Sequence, residues 1–232
     1  MSRLINFFAI GEFYHIYNRG TDKRLIFKDN IDRNRFISLL YLCNSQSAIH
    51  RSNFNTSSLN ELLNIPREEP LVDIGAYCIM SNHFHLLVHE RIENGISLFM
   101  QKLSTAYTMY FNKRYERSGA LFQGRFKAKH LDSDNYLKYI FAYIHLNPVE
   151  IIDNGWKDHL LKNKDRTFKF LKSYLFSSYT DYLNSEFRNP VGKILNKDAF
   201  PNYFQTEKDF EVHINDWLIR SEVNLEIGKV EP

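Results

Sequence analysis

Apolar and polar positions alternate along residues 81–90, SNHFHLLVHE. In an extended chain this puts Phe84, Leu86 and Val88 on one face and His83, His85, Leu87 and His89 on the other. EFYHIYNRG (12–20) reads as a further strand ending at a glycine turn, and LVDIGAYCIM joins NHFHLLVHE through Ser81-Asn82 as an antiparallel hairpin. Helical spacing predicts a helix in DNIDRNRFISLLYLCN (29–44), capped by Asp or Asn, with Phe36, Leu39, Leu40 and Leu42 on its apolar side. A long helix follows the hairpin in ISLFMQKLSTAYTMYFNKRYE, carrying Leu98, Leu103, Tyr107 and Tyr110. Gly119 and Gly124 punctuate SGALFQGRFKAKHL, whose second half predicts a strand, and DSDNYLKYIFAYIHLNP (132–148) predicts a helix capped by Asp132 or Asp134.

The resulting order, β-α-β-β-α-β-α, is that of an α+β ferredoxin-like sandwich with an antiparallel sheet and one additional helix. Residues 45–70 are polar and broken by Pro66 and Pro70, which predicts an insertion or long connection with a short helix at LNELLN. Past Trp156 the pattern loosens into a mostly helical C-terminal extension, with EKDFEVHINDWLIRS as a separate amphipathic helix. The chain thus divides into a domain over 1–150 and an extension over 151–232.

With 232 residues and 44% hydrophobic content the chain can bury a sizeable core. It has no basic-then-apolar leader and no apolar run long enough to span a bilayer, so a soluble, cytoplasmic protein without membrane partners is expected. Cys43 and Cys78 exclude a disulfide framework. A net charge of +3 is too mild to diagnose a nucleic-acid binder. Its distribution says more. Between residues 100 and 130, Lys102, Lys113, Arg114, Arg117, Arg125, Lys127 and Lys129 face the single acid Glu116 and interleave with Tyr107, Tyr110, Phe111, Tyr115, Phe122 and Phe126. Such a mixture can bind phosphates and stack on unpaired bases, while the pattern taken alone favours a helix with inward aromatics and solvated charges.

His83 and His85 on one side of a rigid strand suit a divalent metal, although histidines on a sheet face are also commonly packed or hydrogen-bonded. A third ligand is offered by Asn147, four residues after Tyr143 and on the same helical face. Asn147-Pro148-Val149-Glu150 also reads as a helix start, with Asn as N-cap, and a residue before proline avoids the helical region. Tyr136, Tyr139 and Tyr143 are compatible with plain core packing.

CIMSNHFHLLVHE, GALFQGRFKAKHL, YLKYIFAYIHLNPVE and the early YHIYNRG together resemble the single-tyrosine HUH transposases, in particular the branch associated with bacterial repetitive extragenic palindromes. The resemblance runs from about Phe13 to Glu150. It implies a ferredoxin-like core, His83, His85 and Asn147 as ligands of a divalent metal (Mg²⁺ or Mn²⁺), Tyr143 as nucleophile, and a metal-dependent endonuclease and strand transferase. The implied partner is single-stranded DNA with hairpin or palindromic elements, met at the bacterial nucleoid, with a homodimer compatible. Asn18, Arg19, Lys102, Gln123, Gly124, Arg125 and Lys127 are then the expected DNA contacts, with a solvated surface role as the alternative for each charge. His145 is read as a substrate contact or surface residue pointing away from Tyr143. Two other functions stay open: a domesticated nucleic-acid-binding module that makes no cuts, and a zinc-dependent hydrolase built on His83, His85 and His89.

Overall fold

The computed structural model describes residues 8–47, 58–153, 156, 163–183 and 190–219. Strands β1 (Phe13–Arg19), β2 (Val72–Ile79), β3 (His83–Glu90) and β4 (Lys127–His130) form one antiparallel sheet in the order β2-β3-β1-β4. Helix α1 (Asn30–Leu42) connects β1 to β2, with the short α2 (Leu59–Leu62) in the same connection; α3 (Gly95–Arg114) connects β3 to β4. Helix α4 (Asp134–Leu146) follows β4. This is the ferredoxin-like arrangement expected, with α4 as its added helix.

The period-two alternation of β3 decides which helix goes where. Phe84, Leu86 and Val88 enter a core with Phe36 and Leu40 of α1 and Phe99, Leu103 and Tyr107 of α3. Leu87, with Ala76 and Cys78 of β2, packs on the opposite face against Ile140, Phe141 and Ile144 of α4. An irregularity between Ile74 and Ala76 shifts the β2 register, and the ring of Phe200 lies where a Cβ at Gly75 would be.

Beyond the 3₁₀ turn Asn147–Ile151, the extension forms α5 (Lys164–Ser173), α6 (Tyr179–Leu183) and α7 (Glu207–Ile219). The last helix is not separate: Phe210, Ile214 and Leu218 share the core of α4. Residues 176–178 run beside β2, where Ile79 N–H donates to Phe176 O (2.9 Å) and Ser178 N–H to Tyr77 O (3.0 Å). They cover an edge of the sheet that would otherwise be an open template. The connection before β2 is pinned by buried Asn44, which accepts from Leu71 and Val72 N–H and donates to Val72 O; of its polar insert, residues 48–57 lie outside the described residues. Among the described residues no helix is long and apolar enough to cross a membrane.

Much of the basic, aromatic stretch serves the core. Tyr107, Phe111 and Phe122 are buried, and Tyr110 and Tyr115 each donate to the fully buried Asp32 at 2.8 Å. Arg114 adds a 2.6 Å ion pair to Asp32 and another to Asp29, the N-cap of α1, so α1 and α3 are clamped by one carboxylate with every lone pair occupied. Removing one partner from such a pair leaves the other charge without compensation. Asp32→Ala is therefore expected to destabilise the fold by about 3–5 kcal/mol, read as a fall in the urea midpoint at unchanged slope.

Candidate active site

β3 and α4 meet at one end of the sheet. Ser133, rather than either flanking Asp, caps α4 by accepting from Tyr136 N–H. The far end of the helix departs from the pre-proline expectation: Asn147 keeps helical angles (φ −53°, ψ −38°) and its N–H donates to Tyr143 O. The helical turn therefore continues through Asn147, which brings its side chain above Tyr143 and toward β3. Pro148 sits in the first turn of the following 3₁₀ helix, where its missing N–H costs nothing.

Four side chains converge there. The rings of His83 and His85 lie 5.0 Å apart at 84°, and His85 meets the Tyr143 ring at 5.4 Å and 87°. Asn147 Oδ1 is 3.2 Å from His83 Nε2. His83 Nδ1 is 2.7 Å from Asn82 Oδ1, and Asn82 is oriented by its Nδ2 donating to Lys23 O. Nδ1 of His83 thus carries a hydrogen, so in the neutral ring Nε2 presents a lone pair to a second oxygen lone pair. An imidazolium, a neighbouring cation or an exchange of the Asn147 amide oxygen and nitrogen reconciles the two, and the cation does so while leaving both lone pairs in use. Asn147 is fully buried, and its Nδ2 has no hydrogen-bond partner.

Two imidazoles and an amide oxygen therefore fit a divalent ion, with mixed nitrogen and oxygen donors suited to Mg²⁺ or Mn²⁺. Among the described residues no cluster of three His, Cys, Asp or Glu side chains is placed to hold an ion. His89, the third member of the zinc alternative, pairs with Asp73 at 3.0 Å and stands about 13 Å from His85 along the strand.

Tyr143 is almost buried, 7% exposed, between His85, Tyr139 (6.0 Å) and Trp156 (6.4 Å). These three rings pack around it. A residue that the sequence analysis passed over completes the cluster: His15 of β1, fully buried, with Nε2 2.9 Å from His85 Nδ1. Burial, aided by Lys129, pushes its pKa down to about 3 and keeps it neutral. The alternation of YHIYNR was the available signal, since it puts His15, Tyr17 and Arg19 on one face.

The expected DNA contacts separate into groups. Tyr17 pairs with both His85 and Lys127, His15 with Lys129, and Arg19 with His83, so Arg19, Lys127 and Lys129 share the sheet face of the two histidines. Gln123, Gly124 and Arg125 form an exposed turn beside them, held by Gln123 N–H donating to Arg19 O and by an Arg19–Gln123 side-chain bond. Gly124 has φ +71°, the left-handed region that glycine enters freely. Asn18 is buried on the opposite face and braces this turn by donating to Gly124 O. Lys102 is not brought there: it lies on α3, across the sheet, and its ammonium donates to Ser45 O (2.6 Å) and Ser47 O (2.7 Å).

The family model described as "Transposase IS200 like" matches residues 14–147, the span from the first strand to the last residue of this cluster. No curated protein matches the chain. A solved structure described as the REP-associated tyrosine transposase bound to a REP hairpin superposes with a TM-score of 0.48 at 13% identity, covering 89% of this chain and 96% of that one.

His145 is neither exposed nor a substrate contact. It is fully buried, its Nδ1–H donating to Phe141 O (2.9 Å) and its Nε2 accepting from Ser178 Oγ (2.7 Å), which ties α4 to the extension. Burial lowers its pKa to about 3 against an ordinary 6.5. Because the folded value is the lower one, its contribution is complete above pH 6.5 and declines as pH falls from 6.5 toward 3. Between pH 7 and pH 5 the His145 share of the lost stability is expected to be about 2 kcal/mol, read as the difference between the losses of the wild type and of His145→Gln in urea unfolding at each pH.

Proposed function

We propose that this chain, which belongs to the IS200-like transposase family, cuts and rejoins single-stranded DNA through a transient covalent bond to Tyr143. Membership makes it a DNA-processing transposase; the finer mechanism is our reading. The observation that carries it is the convergence of His83, His85, Asn147 and the Tyr143 ring, from two elements 64 residues apart, on one end of α4.

A phenol of ordinary pKa about 10 is a weak nucleophile at neutral pH, so the phosphorus must be made a better electrophile and held in line. His83, His85 and Asn147 would hold a divalent ion, Mg²⁺ or Mn²⁺, which when bound would supply Lewis-acid charge to the scissile phosphate. All three donors are neutral when they do so, and none of the ion's charge is cancelled by the protein. Tyr143 Oη attacks phosphorus as it gives up its proton, the bond to the 3′-oxygen breaks, and that oxygen leaves as a hydroxyl by taking up one proton, through solvent, in place of the one the phenol released. The 5′-phosphotyrosine conserves the phosphodiester's energy, so a 3′-hydroxyl reverses the step and joins strands without a nucleotide cofactor.

Arg19, Lys127, Arg125 and the Gln123-Gly124 turn supply a basic lane beside this centre, on the face that α4 leaves open toward β4. Backbone charge recognition of this kind suits a strand whose bases are splayed, as at the foot of a hairpin. Asn18 takes part through the turn it braces. The 1–150 domain contains every one of these groups, and the 151–232 extension buttresses α4.

Incubation with hairpin oligonucleotides and Mn²⁺ is expected to give a protein–DNA adduct on a denaturing gel. Tyr143→Phe should abolish the adduct while leaving binding intact, and His83→Ala or a chelator should slow its formation about a hundredfold or more. Binding without any adduct in the wild type would turn the assignment to a module that binds and does not cut; an adduct that survives Tyr143→Phe would remove the nucleophile. Arg125→Ala and Lys127→Ala should each lower the slope of log affinity against log salt by about 0.7, a value that fluorescence anisotropy across a salt series reads directly.

A further inference from the structure

We propose that His15 is a positioning residue for the metal centre: its imidazole fixes the orientation and tautomer of His85 so that Nε2 of His85 is offered to the ion. The proposal rests on the metal reading given above. His15 Nε2 and His85 Nδ1 are 2.9 Å apart, both rings are fully buried, and they lie 17° from parallel with centroids at 5.1 Å. In the β1–β3 ladder His15 faces Leu87 and Tyr17 faces His85, so the two histidines are diagonal neighbours on one pleated face. Tyr17 stacks on His15 at 4.9 Å and Tyr143 abuts it at 6.1 Å, so the His15 ring is packed on two sides.

The hydrogen bond occupies Nδ1 of His85 and commits Nε2 to the site. When Nε2 holds an ion, the His85 proton is on Nδ1 and is donated to His15 Nε2, and the His15 proton is on Nδ1. That atom is buried without a hydrogen-bond partner. The metal-free pair also admits the opposite arrangement, with His15 Nε2–H donating to His85 Nδ1 and the second proton on His85 Nε2. Each ring keeps one proton in both states, so none is gained or lost. A neutral acceptor behind the ligand has a further consequence. Ligand histidines commonly lean on a carboxylate, which adds negative charge to the centre; an imidazole does not, and a phosphate approaching the ion meets its charge undiminished.

The test is Mn²⁺ binding followed by electron paramagnetic resonance, without DNA, alongside thermal unfolding. His15→Phe keeps the ring and removes the acceptor; its Mn²⁺ dissociation constant is expected to rise about 10–100-fold. His15→Gln puts an amide oxygen near the place of Nε2 and should recover most of the loss. Wild-type affinity in His15→Phe overturns the proposal. A wild type that binds no Mn²⁺, or binds it equally after His83→Ala, overturns the metal reading itself and this inference with it. A measurement on the unaltered protein stands beside the variants: with Mg²⁺ added, long-range ¹⁵N–¹H spectra should show His15 protonated at Nδ1, and protonation at Nε2 in the Mg²⁺-bound form would refute the assignment.

Discussion

β3 has to be buried on both faces while presenting imidazoles on one of them. Its even positions from Phe84 to Val88 are committed to the α1–α3 core, and this leaves its odd positions under α4. Polar groups in such a place must find partners or cost more than the strand contributes. Each histidine accordingly has a specific neighbour: His85 leans on His15, His83 is set between Asn82 and Asn147, and His89 pairs with Asp73. The chemistry of the site follows from satisfying a buried strand. Moving the register by one residue would send both histidines into the opposite core.

Helix α4 supplies the other half, and its rigidity comes from what covers it. Phe210, Ile214 and Leu218 of α7 pack on it, His145 anchors it to Ser178, and residues 176–178 join the same stretch to the edge of β2. An isolated helix of this length is marginal in water. The extension thus acts on Tyr143 and Asn147 chiefly by fixing the helix that carries them, and Trp156 adds a direct ring contact to Tyr143. The clamp of Asp32 by Arg114, Tyr110 and Tyr115 does the corresponding work on the other face.

The surroundings of several residues were not legible in the sequence, for identifiable reasons. Lys102 belongs to a basic run, but a helix turns successive charges through all directions, and only tertiary packing puts this one over the carbonyls of Ser45 and Ser47. His145 looked peripheral because the partner that buries it, Ser178, is 33 residues away. At Asn147 the local rule for residues before proline gave way to a hydrogen bond that carries the helix one residue further. The face His15 shares with Tyr17 and Arg19 follows from strand alternation, but its contact to His85 is a diagonal across two strands 70 residues apart.

Sequence alone determined the order of elements, the two faces of β3, the hairpin at Ser81-Asn82 and the company of Tyr143 and Asn147 on one helix. These are matters of period and local propensity, read over a few residues at a time. Tertiary structure decided which face each helix covers, which cations lie beside the histidines, and that the extension is part of the support for α4. Those outcomes depend on contacts between segments far apart in the chain, where burial makes each polar atom find its partner and no local period encodes which one.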